Sequence, residues 1–357
     1  MSKIAIIQRF LPSRSRGGVG HFTHELAQTL TDRGHAVTVF SQDPPPADAH
    51  YTVRRVDVRA GRWAPFAFPL ALRRCDFTGF DVIHAQGDEQ WLRRRGRAPV
   101  VRTMHGSALA EAWYNGVRAG SPKRLLLHLY FYAMELLADL GADRVVAVSS
   151  GTGRFYPRMH AVIPNGIDVA RFAAAAAATT KSAAPSILFI GELDSRKRGR
   201  WLVDVFIRDV RPRVPGAELW LVSPDPPAAS AADGVVHCGA PDDASLAALL
   251  ARAWVMCLPS AYEGFGRPYA EAMAAGTVAA ATPNPGADEV LDHGRAGVIA
   301  EDVALGRVLA GVLIDAPLRD RFAAIGRERA RAYAWPRVSE AYERVYDVAR
   351  HAHGSRA

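Results

Sequence analysis

The sequence predicts an α/β protein built from two doubly wound halves. Three observations carry this expectation. The length of 357 residues favours two domains, and hence a cleft, at roughly 100–200 residues per domain. Short apolar runs alternate with longer amphipathic stretches, the mark of parallel strands joined by crossover helices. The alternation breaks near the middle of the chain and then restarts. Hydrophobic residues make up 49% and charged residues 22%, close to soluble globular averages, which excludes disorder, collagen and coiled coil.

Taken in order, Lys3-Ile4-Ala5-Ile6-Ile7-Gln8 reads as a buried strand, too short for a signal-peptide core and without a cleavage-like site. A helical stretch follows at 21–33, strands at 36–40, 81–84, 100–103 and 145–148, and a long amphipathic stretch at 122–140. The apolar part of that stretch, 125–137, is interrupted by His128 and Glu135 and is shorter than the ~18–20 residues that span a bilayer. Residues 173–182 lack large apolar side chains and precede Pro185, so they read as an interdomain linker. The second half restarts with a strand at 187–190, a helix at 200–211, strands at 218–222 and 235–237, a helix at 245–253 and a strand at 255–258. Everything from Pro268 onward reads as helix. The expected domains are therefore 1–178 and 179–335, followed by a closing helix at 336–357.

Lys and Arg number 44 against 36 Asp and Glu, a formal charge of +8. Only Lys3, Lys123, Lys181 and Lys197 are lysines, so arginine carries the excess. Anionic partners follow from it: nucleotide diphosphates, lipid headgroups or nucleic acid. Cys75, Cys238 and Cys257 are an odd set with no Cys-x-x-Cys pair, which excludes a disulfide framework and fits a reducing cytoplasm.

Ligands of doubly wound sheets bind beyond the carboxyl ends of the strands, so the loops there are where chemistry is sought. Gly17-Gly18-Val19-Gly20 precedes a helix, an arrangement that offers backbone amides to a phosphate. The dinucleotide fingerprint Gly-x-Gly-x-x-Gly fails at Thr23, although Asp43 stands near the spacing of a ribose-binding acid. Between Glu263 and Glu271 lie Gly264, Phe265, Gly266, Arg267 and Pro268, with Pro268 opening a helix. Both carboxylates can then point at one ligand while the glycine amides face its anionic part. Arg196, Lys197, Arg198 and Arg200 fill the matching loop after the strand 187–190 and can stabilise a departing diphosphate. His105-Gly106 follows the strand 100–103 and can contact a sugar or phosphate. Asp-x-Asp is absent, and His21/His24 and His351/His353 lack companions at ligand spacing, so no metal is expected.

These residues resemble the retaining glycosyltransferases of family 4, which have the GT-B fold. The likeness runs from the glycine loop through Asp81-Val82-Ile83-His84-Ala85, His105-Gly106, Val148-Ser149-Ser150, Pro164-Asn165-Gly166-Ile167-Asp168 and Phe172. It continues in Glu263-x7-Glu271, Glu271-Ala272-Met273-Ala274-Ala275-Gly276, Glu289-Val290 and Trp335. The resemblance implies two Rossmann-like domains with the last helix packed back on the first. It implies that Glu271 binds the nucleotide ribose and that Glu263 and His105 stand beside the donor sugar. The amides of Gly264, Phe265 and Gly266, with Lys197 or Arg198, would hold the diphosphate. Gly18 would lie by the donor phosphate, with Gly17, Val19, Gly20 and His21 on the acceptor side. One departure stands out: the family usually carries Arg where this chain has Glu192, so the missing charge must come from Arg196, Arg198 or Arg267.

The expected activity is transfer of a sugar from a UDP- or GDP-sugar to an acceptor hydroxyl with retention, without metal or other cofactor. The expected acceptor is a small molecule or glycan intermediate, with no nucleic-acid partner. A lipid-linked acceptor at the inner membrane surface is the alternative, suggested by Trp63, Phe66 and Phe68 among Arg55, Arg59, Arg62 and Arg73. From other classes, an NAD-dependent oxidoreductase would use Asp43 but leave the Glu263…Glu271 pair idle. A glycan- or lipid-binding protein without activity would accommodate Glu192, and an epimerase would share the fold.

Overall fold

The computed structural model describes residues 1–12, 18–58, 64–92, 98–113, 117, 120–224 and 234–354. The chain divides into two compact units, Met1–Gly166 with Trp335–Ala357, and Ile167–Ala334. The first contains β1 (Lys3–Ile7), α1 (Val19–Asp32), β2 (Ala36–Ser41), β3 (Thr52–Arg55), α2 (Ala64–Ala71), β4 (Val82–Ala85), β5 (Val100–Met104), α3 (Ala108–Ala112), α4 (Pro122–Gly141), β6 (Arg144–Ala147), α5 (Ser150–Gly153) and β7 (Ala161–Val162). Its seven strands form a parallel sheet in the order β3-β2-β1-β4-β5-β6-β7. Strand side chains alternate between faces. Ile4 and Ile6 of β1 therefore join Phe22, Leu26 and Leu30 of α1 on one side, and Ala5 and Ile7 join Phe68 and Leu72 on the other. Burial on both faces explains why β1 is a continuous apolar run.

The second unit contains α6 (Val169–Ala178), β8 (Ser186–Ile190), α7 (Gly199–Val205), β9 (Glu218–Val222), β10 (Val235–Gly239), α8 (Asp243–Arg252), β11 (Val255–Leu258), α9 (Arg267–Ala274), β12 (Val278–Ala281), α10 (Pro285–Val290), β13 (Val298–Ile299), α11 (Leu305–Ile314) and α12 (Ala316–Ala330). Its parallel sheet has the order β10-β9-β8-β11-β12-β13. The last helix, α13 (Trp335–Gly354), belongs to the first unit. Val338, Tyr342, Tyr346 and Ala349 recur at helical spacing along it and are buried in the core cluster of the first unit, where α13 meets α1, β4 and β5. Gly166 is required beneath Trp335, since a Cβ there would lie 2.4 Å from the indole ring.

Two expectations are corrected here. Residues 173–178 are not a linker but the body of α6, started by the Asp168 carboxylate, which accepts from the Arg171 amide at 2.9 Å. Alanine is the best helix former, so a run without large apolar residues need not be loop. The boundary lies at 166/167 rather than 178/179. The stretch after Pro268 is not all helix, for β12 and β13 complete the sheet.

Arg33 and His35 hold Glu343 of α13, Arg33 through a two-pronged contact at 2.7 Å and His35 at 2.9 Å. The Arg33 hydrogen bond keeps the Glu343 carboxyl below the usual glutamate range. A group with a depressed folded-state pKa contributes stability above its unfolded pKa and loses it as the pH falls through the folded value. Glu343→Gln is thus expected to lower stability at pH 7, and Tm with it, by no more than about 1 kcal/mol of free energy because the pair is partly solvated. Thermal melts against pH check this: the deficit should shrink below about pH 4.3, and a deficit unchanged at pH 3 would contradict it.

Candidate active site

Strand order reverses between β8 and β11 in the second unit and between β1 and β4 in the first. Such a switch point is where an open α/β sheet binds its ligand.

In the second unit the loop after β8 carries Arg196, Lys197 and Arg198, and the loop after β11 carries Glu263 to Gly266. The Ala261 amide donates to the Arg196 carbonyl at 2.9 Å and stitches the loops together. Glu263 has only 9% of its side chain exposed. Its Oε1 accepts from the Arg196 guanidinium at 2.5 Å and from Ser260 Oγ at 2.8 Å. Arg196 also donates to the Tyr262 carbonyl at 2.6 Å, so charge and backbone fix one another.

Gly266 takes the left-handed conformation, φ 82°, and starts α9; a Cβ there would press on the Tyr269 ring at 2.5 Å. Tyr269 is fully buried and donates to the Leu258 carbonyl at 2.8 Å, tying α9 to the end of β11. Pro268 sits in the first turn of α9, which begins at Arg267. Glu271, one turn in, lies 3.4 Å from Arg267, and both side chains are largely buried. Lys197 folds under Gly191 and donates its ammonium to the Ile190 carbonyl at 3.2 Å. Burial pushes this ammonium below the ordinary lysine range, against the opposing pull of Glu263 and Glu271 and with the aid of Arg196. Arg196, Lys197, Glu263, Arg267 and Glu271 thus share one charged neighbourhood at the switch point.

Two residues expected at the diphosphate are placed otherwise. Arg198 makes a two-pronged contact with Asp302, at 2.9 and 2.7 Å, and stacks 3.8 Å over Trp201. Its charge is already matched. The Phe265 side chain is 2% exposed and meets Tyr333 edge-on, so it is core, and only its backbone remains for a ligand. Gly264 is buried in the same loop, and Glu192 is exposed.

In the first unit Gly18, at φ 56°, precedes α1, whose first turn holds Val19, Gly20 and His21. A Cβ on Gly20 would lie 3.0 Å from the Phe10 carbonyl, so helix and preceding loop approach closely. Gly17 lies outside the described residues. His105 follows β5, its edge against Phe22 at 4.8 Å, and donates from Nε2 to the Gln86 side-chain oxygen at 2.6 Å. Burial and the nearby Arg102 push its pKa down to about 3, so it is neutral at pH 7. Its loop is anchored by Tyr156, which donates to the Gly106 carbonyl at 2.8 Å, and by Glu135, which accepts from the Ala108 amide at 3.1 Å.

Sequence reasoning passed over Gln86, Asp88, Glu89 and Arg102. Arg102 and Glu89 form a buried ion pair, and burial raises Asp88, at φ 68°, to about 6. A signal existed: Arg102 interrupts an apolar run in a strand with neighbours on both sides, where a charge survives only if paired. Of the mixed aromatic and basic stretch, Phe68 is core and Phe66 packs on Tyr130 at 5.3 Å; Arg59, Arg62 and Trp63 lie outside the described residues. Among the described residues no group of three or more His, Cys, Asp or Glu side chains could hold a metal ion, and no helix is long and apolar enough to cross a membrane.

Two parallel α/β units with polar loops at both switch points fit the GT-B fold, and comparison with known proteins assigns the chain to the glycosyltransferases. The model of Glycosyltransferase Family 4 matches residues 16–171, and that of glycosyl transferases group 1 matches residues 184–310. The chain belongs to the family 4 glycosyltransferases. It is 27% identical over 368 residues to phosphatidyl-myo-inositol mannosyltransferase of Mycolicibacterium smegmatis, covering 93% of this chain and 90% of that one. It is 27% identical to glycogen synthase of Mycobacterium tuberculosis over 94% of this chain and 92% of the relative. Sucrose-phosphate synthase of Thermosynechococcus elongatus shares the fold with a TM-score of 0.79 at 22% identity, over 97% of this chain and 98% of that one. Anabaena HepE in complex with UDP and glucose gives 0.71 at 16% identity, over 97% and 100%.

Proposed function

We propose that this enzyme transfers a sugar from a nucleotide-diphosphate donor to an acceptor hydroxyl with retention of configuration and without a metal ion. The observation that carries the donor reading is the convergence of Arg196, Lys197, Glu263, Arg267 and Glu271 at the β8/β11 switch point. Glu271 suits a ribose diol. Lys197 and the amides at the start of α9 suit the diphosphate. Glu263, held rigidly by Arg196 and Ser260, suits the positive charge that develops on the sugar, and fixed charges of this kind supply much of an enzyme's rate. A thermal-shift panel of UDP, GDP and ADP, then product analysis in EDTA, tests the donor and the metal. A panel without any stabilisation, or activity abolished by EDTA and restored by magnesium, would overturn the respective part.

A specific observation favours the lipid-linked acceptor over the small soluble one. Leu126, Leu127, Leu129 and Tyr130 of α4 are exposed, Leu126 at 67%, beside Lys123 and Arg124. Leu70, at the end of the α2 segment that packs on Tyr130 through Phe66, is 51% exposed and is followed by exposed Arg73 and Arg74. An apolar face edged by cations matches an anionic phospholipid surface. The relatives named phosphatidyl-myo-inositol mannosyltransferase have a lipid acceptor in their name. Leu126→Glu/Leu129→Glu is expected to lower binding to phosphatidylglycerol-containing vesicles by at least about tenfold, since two buried leucines contribute roughly 3 kcal/mol or more, while UDP- or GDP-induced stabilisation stays unchanged. Equal sedimentation of parent and variant with vesicles would reject the surface.

A further inference from the structure

The loop that carries His105 is pinned from α4. Buried Tyr156 places its hydroxyl oxygen 2.8 Å from the Gly106 carbonyl oxygen and 2.8 Å from Oε2 of Glu135. The same Oε2 accepts from the Ala108 amide at 3.1 Å. Between them Ser107 hydrogen-bonds Tyr156 through its side chain. One carboxyl and one phenol thus hold three successive residues directly after His105, whose own ring is tied to Gln86 at 2.6 Å.

A phenol has a single hydrogen to give, and a backbone carbonyl has none. Were Glu135 ionised, its carboxylate and the Gly106 carbonyl would compete for that hydrogen, and one of the two 2.8 Å contacts would set oxygen against oxygen with nothing between them. With Glu135 protonated, every contact has its own hydrogen: Glu135 donates to the Tyr156 oxygen, Tyr156 donates to the Gly106 carbonyl, and the Ala108 amide donates to Glu135. The surrounding charges agree. Arg102 of β5 faces the carboxyl, but its charge is matched by Glu89 of the loop after β4, and Glu111 of α3 opposes a further negative charge. On α4 itself, Tyr132 donates to the Phe155 carbonyl at 2.6 Å and Asp139 lies in the field of Arg158 and Arg102. Burial raises the Glu135 carboxyl above the usual glutamate range in spite of Arg102. The Tyr156 phenol, lifted far above the ordinary tyrosine range by burial and then by Glu135, keeps its hydrogen throughout.

We propose that Glu135 is a positioning residue that holds the His105 loop in its protonated form, and that loss of this proton to solvent releases the Gly106 carbonyl. An ionised Glu135 takes the Tyr156 hydrogen for itself and leaves the carbonyl without a donor. The pin stands on the contacts above. Its catalytic consequence rests on reading His105 as the group beside the sugar.

Two substitutions in the full chain separate the proton from the packing. Glu135→Gln keeps the shape and carries a donor and an acceptor at every pH, whereas Tyr156→Phe keeps the ring and removes the hydrogen that Gly106 receives. Infrared difference spectra, parent minus Glu135→Gln, are expected to show a carboxylic acid carbonyl band at pH 6, where an exposed glutamate of pKa about 4.3 is ionised. Amide hydrogen exchange over residues 105–112, corrected for its intrinsic pH dependence, reads the pin. Protection in the parent is expected to fall by about fivefold or more between pH 6 and pH 9, the equivalent of one buried hydrogen bond. It should stay constant in Glu135→Gln and be low at both pH values in Tyr156→Phe. A missing acid band, or parent protection as constant as that of Glu135→Gln, would overturn the role of the proton, and protection indifferent to Tyr156→Phe would overturn the pin. In turnover of a UDP- or GDP-sugar, Glu135→Gln is expected to keep the parent's kcat at pH 6 and to lose its alkaline decline, with the donor KM unchanged. If protection follows pH but kcat does not, the pin stands and the role of His105 beside the sugar falls.

Discussion

Glu263→Gln is expected to lower kcat by about 10²- to 10³-fold, the usual cost of removing one preorganised charge from a reacting centre, with nucleotide diphosphate affinity changed by less than about threefold. The substitution keeps the volume of a side chain that has 9% of its surface exposed, so packing around Ser260 and Tyr262 is preserved. It removes the charge opposite Arg196 that is proposed to stand beside the sugar. A group that acts at the barrier affects kcat, whereas one that binds ground state and transition state alike affects affinity. Glu271→Ala should show the second pattern: a loss of about tenfold in donor affinity, one charge-assisted hydrogen bond, recovered at high donor concentration. Initial rates at varied donor, with thermal melts to verify folding, separate the two. Donor-saturable losses in both variants would reject the distinction.

The fold was legible where side chains announce their surroundings. Ile4–Ile7 and Val255–Leu258 are apolar enough that two-sided burial is the only economical reading, and both are central strands. The alanine-rich segments were not legible. Residues 173–178 and Val278–Ala281 have similar composition, yet one is the helix α6 and the other the strand β12. Alanine carries little preference for a pleated surface and no bulk to mark a face, so tertiary context decides. β12 is a strand because it is covered on both sides and paired with β11 and β13, information that lies elsewhere in the chain.

At the site, spacing located the loops but not the partners. Glycines 264 and 266 and the glutamates around them could be read as one constellation because a loop and the first turn of a helix are local. Whether a given arginine faces a ligand or a carboxylate depends on contacts across the fold. Arg198 meets Asp302, far along the chain, and Arg196 meets Glu263. Gln86 escaped notice, and His84 was read only as part of a strand and a motif, for the same reason: a polar residue in or just after an apolar strand becomes informative only once Tyr346, 262 residues away from His84, is brought beside it.

The arginines expected to replace the charge missing at Glu192 each face a carboxylate: Arg196 faces Glu263, Arg198 faces Asp302 and Arg267 faces Glu271. Lys197, buried and donating to a backbone carbonyl, is the cation of this loop best placed to answer a diphosphate. Lys197→Met is therefore expected to weaken nucleotide diphosphate binding by at least about tenfold, as for the loss of a charge-assisted contact of 1.5–3 kcal/mol, and to leave nucleoside binding unchanged. Arg267→Ala should behave differently, disturbing Glu271, the residue proposed to bind the ribose, and so weakening nucleoside and diphosphate together. The ligand-free protein supplies a second readout of opposite sign. Burial disfavours the Lys197 ammonium, so a methionine of similar length should raise the melting temperature without ligand while reducing the increase produced by the diphosphate. Calorimetric titration with a nucleoside and its diphosphate, together with melts in both states, tests both halves of the argument. A variant that loses nucleoside and diphosphate affinity equally, or that melts lower without ligand, would show that Lys197 supports the loop rather than the phosphates.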